Sequence, residues 1–199
     1  WEEFARRRAL DVDIPDLMRR TTGRTAFECA CELMGRTVSE AEAAQITHEK
    51  ETLYRELFAA EFREVSGFRR FARDAASRGL KIAIGTAGDR QNVAFTLDRL
   101  QMVPAPLAIV GGDEGLPGKP RPDIFLEVAR RIGADPAHCI VFEDAPFGIE
   151  AARRGGMHAV AVCSSHTAEA LAGPHVLAAV RNFDELIHTN FLETLHVVS

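Results

Sequence analysis

The sequence has little of several features that would narrow its class at once. It contains only four cysteines, one tryptophan and one tyrosine in 199 residues. The cysteines are scattered, and Cys29 and Cys31 lie two residues apart in a helical pattern, where their side chains point to different faces. We therefore predict neither a disulfide framework nor a zinc site, and reduced cysteines fit a cytoplasmic protein.

Long apolar runs and an excess of positive charge are also missing. No apolar stretch approaches the roughly 20 residues of a membrane-spanning helix, and no signal peptide opens the sequence. The formal net charge is −5, so the sequence lacks the excess of positive charge that is typical of proteins that bind nucleic acid. Hydrophobic residues make up 46% of the chain, enough for a packed core. We expect a soluble, cytoplasmic monomer that binds neither nucleic acid nor membranes.

The pattern of predicted elements changes near residue 63. Residues 1–62 carry helical signals only, including a capping box that begins at Ser39. In residues 63–199, helical segments alternate with short apolar runs, at 80–85, 107–110, 139–142, 158–162 and 176–180. This alternation predicts an α/β fold with a doubly wound parallel sheet, next to a small all-helical domain. A closing helix is predicted from Phe183 to Leu195.

Polar side chains follow three of the predicted strands. Thr86 follows the first, and its hydroxyl and the next backbone amides suit an anion near a helix N-terminus. Lys119 lies in the Gly- and Pro-rich loop after the second strand, and Glu143 and Asp144 end the third. Ligands bind at the carboxyl ends of parallel strands. A hydroxyl, an ammonium and two carboxylates there indicate a site for a phosphoryl group and Mg²⁺.

Each of these residues also has an ordinary interpretation. Thr86 could be the N-cap of the following helix, and Lys119 could be a solvated loop lysine. The two acids could form an N-cap cluster for the helix after them. The order of the three groups, each at the end of a strand, favours the site for a phosphoryl group and Mg²⁺ over these ordinary interpretations.

Three stretches resemble the haloacid dehalogenase superfamily of phosphohydrolases, in the helical-cap branch that includes β-phosphoglucomutase and many sugar-phosphate phosphatases. They are IAIGTA at 82–87, GKPRPDIF at 118–125 and VFEDAPFGIEAA at 141–152. The resemblance implies a Rossmann-like phosphotransfer core in residues 63–199 and a cap in residues 1–62. It also implies Mg²⁺ as cofactor and a small phosphorylated substrate.

The same resemblance assigns roles to the strand-end residues. Thr86 would bind the transferring phosphoryl group, and Lys119 would neutralise charge on that group and on the nucleophile. Glu143 and Asp144 would help to hold Mg²⁺. The remaining contacts would be to the substrate, and they would come from Arg24, Ala87 and Gly88.

The assignment of Arg24 has an alternative. Arg24 lies in the turn Thr22-Gly23-Arg24-Thr25, which looks like the substrate loop of the family's cap, from which its side chain would reach a polar group of the substrate. An ordinary surface arginine would fit the same sequence.

The family's first motif, Asp-x-Asp-Gly-Thr after an apolar strand, is absent from this sequence. That motif supplies the nucleophile and a general acid/base. Asp11-Val12-Asp13 has the two acids but follows Arg6-Arg7-Arg8, and Ile14-Pro15 stands where Gly-Thr is needed. In the family, the missing strand lies between the strands that end at Thr86 and Asp144. We expect a segment of roughly 20 residues before Trp1, the length of a strand, a loop and a helical turn. Without it the chain should be inactive.

Two classes of function fit the sequence. An enzyme would transfer a phosphoryl group from a small phosphomonoester through an aspartyl phosphate, as a phosphatase or as a β-phosphoglucomutase-type mutase. The stretch EKETLYREL at 49–57 looks similar to mutases, although these are also ordinary charged-face residues of a helix. A non-catalytic relative is the other class. The missing aspartates favour it, and the intact strand-end residues disfavour it.

Overall fold

The computed structural model describes residues 1–21 and 26–195. The chain divides into two compact units, Trp1–Phe62 and Arg63–Ser199. The turn that contains Arg24 lies outside the described residues. No helix within the two described ranges combines the length and the apolar character needed to cross a membrane.

The first unit consists of helices and the loops that connect them, with no strand in its described residues. Its helices are α1 (Glu2–Arg7), α2 (Ile14–Thr21), α3 (Ala26–Met34) and α4 (Glu40–Ala59). Ser39 is the N-cap of α4, and its Oγ accepts the backbone N–H of Glu42 at 3.1 Å, as the capping pattern predicts. Leu17 and Ile46 are fully buried in one apolar cluster. This unit therefore has a small hydrophobic core of its own.

The stretch Asp11-Val12-Asp13 connects α1 to α2 and contains no strand. Asp13 Oδ1 accepts the backbone N–H of Asp16 at 2.9 Å, and the carbonyl of Asp13 accepts that of Leu17 at 2.8 Å. Asp13 therefore occupies the N-cap position of α2. This local role accounts for the second acid of the pair without any catalytic function.

Helices and strands alternate through the second unit, as the sequence predicts. They are α5 (Phe68–Ser77), β1 (Ile84–Gly85), α6 (Arg90–Leu100), β2 (Ile109–Val110), α7 (Asp123–Ile132), β3 (Ile140–Glu143), α8 (Pro146–Arg154), β4 (His158–Val162), β5 (Val176–Val180) and α9 (Phe183–His188). The predicted closing helix is wrong beyond His188. Asn190 has a φ of 53°, a left-handed conformation that asparagine tolerates, and a short 3₁₀ turn follows it at Phe191–Glu193.

All strand pairs are parallel, and they form two groups. β1 pairs with β2, whereas β3, β4 and β5 form a second sheet with β4 in the middle. Regular pairing in β1 and β2 covers two residues each, fewer than predicted, although the N–H of Leu107 still donates to the carbonyl of Ile82 at 2.8 Å. In the part of the chain that is described, β1 and β3 each pair along one edge only.

β4 lies at the centre of the core. Ala159 and Ala161 face the apolar cluster that includes residues of α7 and α8. Val160 and Val162 face the cluster that includes residues of α5 and α9. Helices on both faces of a parallel sheet define a doubly wound α/β core. β3, by contrast, is only half-buried at all four positions although three of its residues are apolar, which fits a strand with one open edge.

Candidate active site

A lysine from a loop and a glutamate at the end of a strand form an ion pair. Lys119, in the loop after β2, donates its Nζ hydrogen to Oε1 of Glu143, the last residue of β3. The side chains are 17% and 10% exposed, so water screens this ion pair only weakly. Lys119 Nζ also lies 4.6 Å from the ring centroid of Phe125, within cation–π range. The interpretation of Lys119 as a solvated loop lysine is therefore wrong.

Glu143 is held by partners on both carboxylate oxygens. Oε2 accepts the backbone N–H of Asp144 at 2.9 Å and that of Ala145 at 3.2 Å. Gly148, in the first turn of α8, packs directly against the carboxylate, and a Cβ there would overlap it. Ala145 is the N-cap residue of α8, so neither acid has the N-cap position that the ordinary interpretation gave them.

Asp144 is exposed, and its partners come from the turn after β4. Its Oδ2 accepts a hydrogen bond from Ser165 Oγ at 2.9 Å, and its backbone carbonyl accepts one from His166 Nδ1, also at 2.9 Å. No hydrogen bond from the residues described reaches Oδ1. Among the described residues, Oδ1 of Asp144 is therefore left without a hydrogen-bond partner. Ser165 and His166 were not predicted as site residues, and their signal in the sequence was their position just after the predicted strand 158–162.

Thr86 follows β1, and its hydroxyl acts within its own loop. Oγ1 accepts the backbone N–H of Gly88 at 3.0 Å. The N-cap of α6 is Asp89, whose Oδ1 accepts the N–H of Asn92 at 2.7 Å, so Thr86 is not the N-cap of that helix. An anion that binds the Gly88 amide would first have to replace the Thr86 hydroxyl.

The loops after β1 and β2 pack together at a glycine. The N–H of Gly112 donates to the carbonyl of Gly88 at 2.9 Å, and a Cβ on Gly112 would lie 2.7 Å from the carbonyl carbon of Ala87. No side chain fits at residue 112 without moving that backbone, so the approach requires glycine. The loop that carries Thr86 is thereby fixed against the next loop of the sheet.

The structure thus groups the predicted residues in two sets. Lys119 and Glu143 form one ion pair, with Asp144 adjacent in the chain. Thr86 and Gly88 form the other set. Across residues 1–21 and 26–195, no hydrogen bond or ion pair joins Thr86 to Lys119 or to the acid pair.

The chemistry of the acid pair fits Mg²⁺. Carboxylate oxygens are the ligands that Mg²⁺ prefers, and it commonly takes one or two of them together with water and substrate phosphate. The described residues contain no cluster of three or more His, Cys, Asp or Glu side chains able to hold a metal ion. Asp144 and Glu143 would therefore supply two ligands at most.

Two grooves in the helical unit lie along α1 and α4, with volumes of about 330 and 520 Å³. Both grooves are lined by Phe4 and Leu53 together with charged side chains, and Trp1, Tyr54 and Phe58 also line the larger one. Neither groove is lined by any of the predicted site residues that the structure describes, which are Thr86, Ala87, Gly88, Lys119, Glu143 and Asp144. The two grooves therefore lie on the surface of the helical unit and contain none of these predicted site residues.

The model of the haloacid dehalogenase-like hydrolase family matches residues 2–156. The chain belongs to this family. Among its relatives, Protein CbbY of Rhodobacter capsulatus is 31% identical over 159 residues, 78% of this chain and 70% of the relative. Fructose-1-phosphate phosphatase YqaB of Escherichia coli is 43% identical over 81 residues, 41% of this chain and 43% of the relative.

A solved structure of similar fold confirms the predicted architecture. It is a HAD hydrolase of family IA, variant 3, from Entamoeba histolytica, with 26% identity and a TM-score of 0.79 over 92% of this chain and 84% of that chain. The fold is an α/β core with a helical cap. The alignments cover 38% to 70% of the length of four curated relatives, and less than half of three of them. What a whole relative does is therefore not carried over by family membership alone.

Proposed function

We propose that the full-length protein is a Mg²⁺-dependent phosphatase that acts on a small phosphomonoester of the sugar-phosphate type, through an aspartyl phosphate. The ion pair between Lys119 and Glu143 carries this proposal, because it joins the two most specific motifs of the sequence beyond the end of β3. The name of the relative YqaB, a fructose-1-phosphate phosphatase, supports the substrate class.

We infer that the nucleophilic aspartate lies on a further strand between β1 and β3. Both strands have one unpaired edge in the described residues, and β3 is half-buried along its length. Unpaired backbone groups and apolar side chains at such edges are unfavourable, and one added parallel strand would satisfy both. An aspartate at its carboxyl end would lie beside the strand ends that carry Thr86 and Asp144. The 199-residue chain alone should then be inactive.

The residues of the core would act through charge and hydrogen bonding. Lys119 would supply positive charge to the phosphoryl group and the nucleophile, and Glu143 would keep that ammonium in place. The hydroxyl of Thr86 and the amide of Ala87 would bind phosphoryl oxygens. When bound by Asp144 and Glu143, Mg²⁺ would offset the negative charge of the phosphate.

Residues 1–62 would form the cap that selects the substrate, with Arg24 as a contact to its polar groups. Gly88, in the loop after β1, would also contact the substrate, and its N–H donates to Thr86 Oγ1. A cytoplasmic location and a monomeric state are further predictions of the same proposal.

Phosphate release from a panel of sugar phosphates tests the proposal. The full-length protein should release phosphate from at least one of them with Mg²⁺ and lose this activity with EDTA. The chain of residues 1–199 and a Lys119→Met variant of the full-length protein serve as inactive controls. If the full-length protein releases no phosphate from any phosphomonoester, the proposal is wrong.

A phosphosugar mutase is the second candidate, and residues 49–57 favour it. In the structure, however, Glu49 accepts hydrogen bonds from Arg8 at 2.5 Å and Gln45 at 2.9 Å, and Lys50 pairs with Glu51. These contacts suit a charged helix face. Isomerisation of β-glucose 1-phosphate, measured beside phosphate release, distinguishes the two activities. A non-catalytic relative would lack the aspartate motif in the full-length sequence and turn over neither substrate.

A further inference from the structure

The turn after β4 holds Asp144 at two points. Ser165 Oγ lies 2.9 Å from Oδ2 of Asp144 and 3.2 Å from its carbonyl oxygen. A serine hydroxyl carries a single hydrogen, so it donates to the nearer carboxylate oxygen. The carbonyl accepts instead from Nδ1 of His166 at 2.9 Å. The side chain and the main chain of Asp144 are thus bound by two neighbouring residues.

The strand register explains why this turn reaches Asp144. β3 and β4 are parallel neighbours, and Glu143 is paired with Ala161. The residue after Glu143 therefore lies beside the end of β4, and the chain turns there at residues 163–166. Ser164 makes only a long approach to the same carboxylate oxygen, at 3.4 Å. Ser165 is the closer donor.

We propose that Ser165 is a positioning residue that orients the Asp144 carboxylate to bind a divalent cation through Oδ1. This role rests on the proposed function. Asp144 is exposed, and without a partner its carboxylate would be free to rotate. The hydrogen bond to Oδ2 fixes the side chain and leaves the other oxygen for the cation. Residues that orient metal ligands in this way affect metal affinity although they do not touch the metal.

Metal titration of the full-length protein tests this role. Mn²⁺, which is visible by electron paramagnetic resonance and binds the same oxygen ligands as Mg²⁺, is the probe. Ser165→Ala should raise the Kd for Mn²⁺ about tenfold, the lower end of the range for such supporting residues. Ser165→Thr keeps the hydroxyl and should restore the wild-type Kd. Ser77→Ala is the matched control, because Ser77 is also exposed but donates to a backbone carbonyl, that of Asp74 at 2.8 Å, and not to a carboxylate.

The outcomes separate this role from the proposed function. If the wild type binds Mn²⁺ and Ser165→Ala binds it equally well, the positioning role is overturned and the proposed function stands. If Ser165→Thr is as weak as Ser165→Ala, the hydroxyl is not the determinant, which also overturns it. If the wild type binds no Mn²⁺, both proposals fail. Circular dichroism of each variant checks that a change in Kd is not a loss of fold.

Discussion

Gly148 and the carboxylate of Glu143 share a space that admits no side chain at residue 148: a Cβ there would overlap both Cδ and Oε1 of Glu143. Oε1 is the atom that accepts the hydrogen bond from Lys119. A glycine inside a helix costs about 1 kcal/mol relative to alanine. Gly148 lies within α8 and therefore lowers the stability of this helix. In return, the absence of a side chain leaves room for the Glu143 carboxylate to pair with Lys119.

Gly148→Ala should therefore lower the activity of the protein. The added methyl group would displace the Glu143 carboxylate and with it Lys119, and a displacement of about 1 Å at a reacting centre can cost on the order of a hundredfold in rate. We expect a loss of kcat/KM of about that size in the full-length protein. Gly155→Ala is the matched control, because a Cβ there has only ordinary contacts, at 3.4 Å or more. Equal activity of the two variants would contradict the role of Gly148.

Removal of the lysine charge should destabilise the core. Lys119→Met leaves Glu143 largely buried without its cation, and breaking a buried ion pair from one side costs about 3–5 kcal/mol. The double variant Lys119→Met with Glu143→Gln should recover part of that loss, because no uncompensated charge remains. Urea unfolding followed by far-UV circular dichroism measures both. Tryptophan fluorescence would not serve, because the single tryptophan, Trp1, lies in the helical unit.

The outcome that contradicts this prediction is a double variant at least as unstable as Lys119→Met alone. The charge of Glu143 would then be compensated by other groups, with the backbone amides of Asp144 and Ala145 as the candidates.

The sequence predicted the elements and the strand ends of the core because both follow local rules. Alternating apolar runs and helical segments gave the strands that end near Thr86 and Glu143, and these lie where predicted. The closing helix was predicted too long because apolar spacing continues past Asn190, whereas the backbone at that residue is left-handed. Spacing of apolar residues carries no information on a single φ angle.

The orientation of the site residues could not be predicted in the same way. The position of the Glu143 side chain depends on two backbone amides and on the space above Gly148, and neither is visible in residue spacing. The contact between Ser165 and Asp144 spans 21 positions and depends on the register of β3 and β4. Tertiary contacts of this kind set which atoms of a predicted residue are available for chemistry.

The hydroxyl of Thr86 should contribute to kcat/KM. Thr86→Val keeps the shape of the side chain but removes the acceptor for the Gly88 amide at 3.0 Å, a hydrogen bond worth about 1 kcal/mol. We expect kcat/KM to fall about tenfold or more, since a donor to the phosphoryl group is lost as well. Thr86→Ser keeps the hydroxyl and should stay within about threefold of the wild type, since the same hydrogen bond remains possible. Equal kcat/KM for the two variants would exclude a role for the hydroxyl.

The ionisation of Glu150, on α8, should make the stability of the folded protein depend on pH. Side-chain hydrogen bonds from Arg153 and Arg154 hold its pKa at about 2, below the ordinary value of 4.5. A carboxyl group with a lowered pKa in the folded state stabilises the protein above pH 4.5, and this contribution is lost as the pH falls toward 2. Glu150→Gln should therefore lower the Tm slightly at pH 7, and the difference from the wild type should disappear near pH 2.

Thermal melts between pH 7 and pH 2 at low salt measure this difference. The same melts in 1 M NaCl are the control, because the ion pairs of Glu150 are exposed and about 1 M salt screens such charges over a few ångströms. Glu127, which Arg130 and Arg131 hold in the same arrangement with a pKa of about 2, should behave alike when changed to Gln. A Tm difference that stays constant from pH 7 to pH 2 would show that Glu150 acts through packing and not through its charge.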